Sequence, residues 1–156
     1  MLVRIVRKLT LDEVQNRIKS FEKEYGVTLD EFEGLYLQKK VDRIHFEAYY
    51  EWADLVDAYR GYVESGELDC IVEETRDLEP QKAVLLTPKR VELLQCLGSL
   101  YIDSISDLAR KTGRNVKNVY QDLKSLESLN LVSFNRRGGR NVVPETLVEE
   151  ITLLIR

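Results

Sequence analysis

The 156-residue chain is poor in the side chains that usually carry chemistry: it has one histidine, His45, and two cysteines, Cys70 and Cys96. A single histidine leaves no His-rich metal set. No serine, cysteine or acidic pair has a recognisable base beside it, so an enzyme is not the expectation. Cys70 and Cys96 are far apart and lack a CxxC spacing or a His partner, which points to core thiols rather than a disulfide or a metal site. There is no glycine-rich phosphate loop after a strand, no internal repeat and no low-complexity tract. No apolar run reaches 18 residues, and no charged-then-apolar leader with a cleavage site is present. The expectation is a soluble, cytoplasmic protein with no cofactor, no metal and no membrane contact.

What is present is divided. With 44% hydrophobic residues the chain can bury a real core, as one domain or two small ones. Residues 80–156 hold 12 Lys or Arg against 8 Asp or Glu, whereas residues 1–79 hold 11 against 19, so the two halves carry opposite net charge. Within 110–140 eight cations face only Asp122 and Glu127. A local excess of this kind matters more for phosphate affinity than the overall net charge of −4.

That cationic stretch has a regular order. Ser104 reads as an N-cap, Ile105, Leu108 and Ala109 form an apolar face, and Gly113 supplies a left-handed stop, giving a helix over 105–112. A second helix opens at Asn115, with Val116, Val119, Tyr120, Leu123 and Leu126 as its buried stripe. Its other face carries Lys117, Asn118, Gln121 and Lys124. Lysine neutralises phosphate or reaches guanine, and Asn and Gln bond the adenine edge in a bidentate way. An ordinary solvated helix face would show the same residue types. The context favours nucleic acid: Leu131–Asn135 alternates as a strand, Arg136, Arg137, Gly138, Gly139 and Arg140 make a basic turn, and Asn141–Val143 returns. Arginine at such a tip can enter the minor groove or clamp phosphate. Upstream, Thr87 and Pro88 open a helix with Val91, Leu94 and Leu97 on one face, ending near Gly98.

The runs LTPKRVELLQCL, SISDLARKTG and RNVKNVYQDLKSLESLNLV resemble the MarR-like winged helix-turn-helix transcriptional regulators of archaea and bacteria. The resemblance covers residues 83–144. It implies sequence-specific binding of double-stranded DNA as a homodimer, with Arg114, Asn115, Lys117, Asn118 and Gln121 on the recognition helix. One departure is Asn130, where such proteins usually have glycine; asparagine also tolerates the left-handed conformation. Regulators of this kind can bind small effectors, but no residue here identifies one.

The first half reads as helical. Leu11, Val14, Ile18 and Phe21 have helical spacing up to Gly26, and Thr28 opens TLDE, a capping-box pattern before Phe32, Leu35 and Tyr36. A longer helix runs from Phe46 to Glu64, with Tyr49, Trp52, Ala53, Val56, Tyr59 and Val63 as an aromatic stripe. Two explanations fit: packing onto the earlier helices, or a partner interface through Tyr49, Trp52, Val56 and Tyr59. The segment FEKEYGVTLDEFEGLY resembles small prokaryotic antitoxins or antitoxin-associated regulators, which would make a basic toxin the partner of this acidic half. Residues 66–82 lack sustained periodicity and read as the boundary. Residues 2–8 alternate weakly, as a short strand does. LVEEITLLIR suits strand or helix, and strand is preferred because Pro144 precedes it and the end is β-branched.

The expected architecture is therefore mainly α with a small β-hairpin wing (α+β). An acidic helical module over 1–79 serves dimerisation or partner binding, and a winged helix-turn-helix over 80–156 binds DNA. A different class of function uses the same fold as a protein-interaction module of a larger assembly without DNA contact.

Overall fold

A computed structural model describes residues 1–39, 45–136 and 141–156, and it is α+β as expected. The chain forms two compact units. One is continuous, Leu9–Ile71; the other joins Met1–Lys8 to Val72–Arg156.

The continuous unit consists of α1 (Leu11–Tyr25), α2 (Leu29–Leu37) and α3 (Phe46–Ser65). The reciprocal capping box forms at Thr10, not at Thr28. Thr10 Oγ1 accepts the Glu13 N–H at 3.2 Å, and the Glu13 carboxylate accepts the Thr10 N–H at 2.9 Å. Thr28 supplies only the hydroxyl arm, to the Glu31 N–H at 3.4 Å. Helix α1 ends at Gly26 in the left-handed region (φ 69°), where a side chain would be strained. The three helices close on Trp52, which has no exposed surface, together with Leu29 and Phe32. Phe21 and Tyr25 stack on the indole at 5.5 and 5.7 Å between centroids. Of the two explanations for the aromatic stripe, core packing accounts for Trp52, which is not available as an interface residue. Tyr49 and Val56 pack against the same cluster. Val63, placed on the stripe by spacing, is 66% exposed.

The discontinuous unit contains a three-stranded sheet of order β2–β1–β5, formed by β1 (Leu2–Lys8), β2 (Ile71–Asp77) and β5 (Val148–Leu153). Strands β1 and β5 are antiparallel, with Val3 opposite Leu153 and Ile5 opposite Ile151. The terminal strands are thus present as read. The division at 79/80 is not: β1 and β2 belong with the second half, because a strand is stable only where its backbone groups are paired.

Strand β2 occupies a segment that reads as a linker. Its half-buried positions are Val72, Glu74 and Arg76, so hydrophobic alternation is replaced by charge. Arg7, only 2% exposed, grips Glu74 with two hydrogen bonds, Nε to Oε2 at 3.2 Å and Nη2 to Oε1 at 2.9 Å. Arg76 shares the same carboxylate at 2.8 Å and donates Nη1 to the Leu129 carbonyl at 2.7 Å. Burial pushes the Glu74 carboxyl up, but the two guanidiniums outweigh it and hold it at about 2.

The rest of this unit is a short helix α4 (Pro80–Ala83), then α5 (Pro88–Ser99), α6 (Ile105–Thr112), α7 (Val116–Ser128) and the hairpin of β3 (Val132–Arg136) and β4 (Val142–Thr146). Thr87 caps α5 with Pro88 at its first position. Its buried face is Leu93 and Leu94 rather than Val91, which is 37% exposed. Among the described residues, no helix is long and apolar enough to cross a membrane.

Candidate nucleic-acid interface

Helices α6 and α7 are joined by a tight turn that their own sequences specify. Ser104 Oγ accepts the Asp107 N–H at 3.0 Å, Gly113 takes φ 64° at the end of α6, and Asn115 Oδ1 caps α7 by accepting the Lys117 N–H at 2.8 Å. Val119, Leu123 and Leu126 face the core with Leu108, Ala109, Leu131 and Val132. Asn130 adopts φ 58°, so the departure from glycine is absorbed and the chain turns into β3. The hairpin is antiparallel, with Phe134 opposite Pro144 and Arg136 opposite Val142.

This packing leaves one face of α7 uncovered. Lys117, Asn118 and Gln121 are exposed, and their side chains have no hydrogen bond or ion pair with any other described residue. They sit on the first turns of the helix, where a recognition helix meets base edges. Asn115 is also exposed, but its amide oxygen is used by the cap. Lys124 donates to Glu127 at 2.6 Å and stands 5.4 Å from the centre of the Phe134 ring. The Glu127 hydrogen bond raises its pKa. Arg136 is exposed at the end of β3, while Arg137 and Arg140 of the expected wing tip fall outside the described residues.

Arg114 is placed differently from the expectation. Its Nη2 bonds Asp122 Oδ2, its side chain is 17% exposed, and Arg90 Nε holds the other oxygen of Asp122 at 2.9 Å. Arg90 also donates to the Leu85 carbonyl at 2.9 Å. Burial pushes the Asp122 carboxyl up, yet the Arg114 and Arg90 hydrogen bonds prevail and lower it. Arg114 therefore fixes α7 against α5 and the preceding turn instead of being presented on the surface. The signal for this was Asp122, an acid on an otherwise cationic helix.

Two further corrections concern the surface. Val116 and Tyr120, assigned to the buried stripe by spacing, are 46% and 47% exposed. Tyr120 leans on Phe134, with centroids 6.2 Å apart. The cationic excess is also partly neutralised from just outside the counted stretch. Asp107 accepts from Arg110 at 2.5 Å and from Lys111 at 3.1 Å. The Arg110 hydrogen bond first, then those of Lys111 and the Asp103 N–H, hold its carboxyl at about 2.

In the continuous unit, Tyr59 and Val56 line an open cavity of about 380 Å³ with Ile18, Leu29 and Arg60. His45 is engaged structurally: its Nδ1 lies 3.1 Å from the Tyr25 hydroxyl.

A protein-family model described as HVO_A0114 matches residues 85–153, the stretch from just before α5 to the end of β5. No curated protein matches the chain.

Proposed function

We propose that this protein is a transcriptional regulator of the MarR-like winged-helix kind that binds double-stranded DNA in a sequence-specific manner. The observation that carries the reading is the face of Lys117, Asn118 and Gln121, exposed at the start of α7 and unengaged by other described residues. In this reading α7 lies in the major groove and the hairpin, with Arg136, runs along the adjacent phosphates or minor groove. The protein acts as a cytoplasmic homodimer, so that two copies of α7 meet successive half-sites. The acidic Leu9–Ile71 unit holds a partner subunit or a basic protein such as a toxin, which would make the chain the antitoxin or autoregulator of its own pair. Catalysis plays no part in this function.

A mobility-shift comparison of duplex DNA, single-stranded DNA and RNA at two salt concentrations tests it. Duplex-specific binding that weakens steeply with salt is the expected result. Equal affinity for all three, or none, would overturn it.

A second reading has its own support. Arg110 and Lys111 are paired with Asp107, Arg114 with Asp122, and Lys124 with Glu127. A winged helix with half of its cations over 110–140 internally neutralised suits a protein-interaction module of a larger assembly. The same assay separates the two, because that module shifts no duplex.

A further inference from the structure

We infer that α7 selects A·T base pairs, with Asn118 and Gln121 addressing adenine and the exposed side chains of Val116 and Tyr120 packing on thymine methyl groups. This rests on the duplex-DNA reading above and adds the base composition of its target.

Val116 and Tyr120 are four residues apart and so lie on the same side of the helix. Both are close to half exposed at the N-terminal end of α7, where a recognition helix approaches the bases. Val116 is on the first turn of a capped helix, and Tyr120 is backed by Phe134, itself close to the Lys124 ammonium. The floor of the major groove offers one apolar feature, the 5-methyl of thymine. An apolar flank on the groove-facing side has no other complement there.

The polar neighbours point to the same base pair. Asn118 and Gln121 are three apart, exposed, and without a side-chain partner among the described residues. A carboxamide matches the acceptor and donor of adenine N7 and N6. Guanine is read by arginine or lysine, and Lys117, the one cation at this end of α7 unpaired among the described residues, is assigned to a phosphate. Helix α7 contains no arginine, and Arg114, the one just before it, is held by Asp122 and largely buried. The exposed start of α7 therefore combines two amides and two apolar groups, with Lys117 beside them and no guanidinium.

Selection of bound duplexes from a random pool by the full chain should enrich A·T pairs at the centre of each half-site. In the selected duplex, replacing thymine by uracil removes the methyl and leaves every hydrogen-bonding group and the protein unchanged. The expected loss of affinity is about fourfold for each methyl contacted. Val116→Ala should lose the preference for thymine over uracil only at the position Val116 contacts, and Tyr120→Ala only at its own. A selected site with a G·C centre, or one bound equally well with uracil, would overturn the inference while leaving duplex binding standing. Failure to select any duplex would overturn both.

Discussion

The two units bury their interiors by different means. In Leu9–Ile71 the centre is uncharged and aromatic, with Trp52 enclosed by Phe21, Tyr25 and Phe32. In the other unit an aliphatic core around Leu108, Leu123 and Leu126 is bordered by two ion clusters, Arg7–Glu74–Arg76 and Arg90–Asp122–Arg114. Apolar burial is forgiving about direction, because it depends on area. Shared carboxylates are not, because each lost hydrogen bond leaves a poorly solvated charge. The second arrangement is suited to fixing the attitude of one helix, and both ion clusters bear on α7, one at its first turns and the other at the Leu129 carbonyl.

The largest effect expected is on the aromatic unit. Trp52→Ala should cost about 4 kcal/mol by leaving a cavity the size of an indole, read by urea unfolding followed by circular dichroism. A loss below about 1 kcal/mol would mean that the indole is not the keystone of that unit. In the charged unit Glu74→Leu should cost about 3 kcal/mol, since it removes the acceptor that Arg7 and Arg76 share. A neutral outcome would place the network outside the energetics of the fold.

Acid should separate the units without mutation. The Glu74 carboxyl is held at about 2 against an ordinary 4.5, so its contribution is complete above pH 4.5 and is lost as the pH falls towards 2. Asp107, also held at about 2, acts in the same direction. Calorimetry across that window should show the winged-helix transition moving to lower temperature ahead of the aromatic one. Simultaneous loss would mean that both units depend equally on their carboxylates.

The smallest effects concern α7 itself. Arg114→Ala should cost about 2 kcal/mol of stability, since Asp122 then keeps only Arg90. Lys117→Ala should leave the unfolding midpoint unchanged and lower the salt slope of duplex binding by about one. The reverse pattern would return Arg114 to the proposed DNA surface.

Much of this was legible in the sequence because helix starts and stops are local events. Thr87 with Pro88, Ser104 with Gly113, and Asn115 each announce a boundary within four residues, and the structure has helices there. The exposed trio Lys117, Asn118 and Gln121 followed from the same periodicity. What stayed hidden depends on partners distant in sequence. Strand β2 shows no apolar alternation because Glu74 and Arg76 occupy its inner positions, which makes sense only beside Arg7, 67 residues from Glu74. The pairing of Arg114 likewise needs Arg90 and Asp122 brought together by folding. Val116 escaped the stripe for a simpler reason: at the first turn of α7 the spacing that buries Val119 and Leu123 has not yet brought it under cover.

The pairing of Val3 with Leu153 also has a meaning in time. A ribosome adds roughly 5–20 residues each second, so β1 emerges some ten seconds before the strand that lies beside it at Ile5 and Ile151. The aromatic helices, encoded in one uninterrupted stretch, have all their own residues long before that. The winged-helix unit is therefore completed after the aromatic one, and it closes only when the chain has been made at least as far as Leu153.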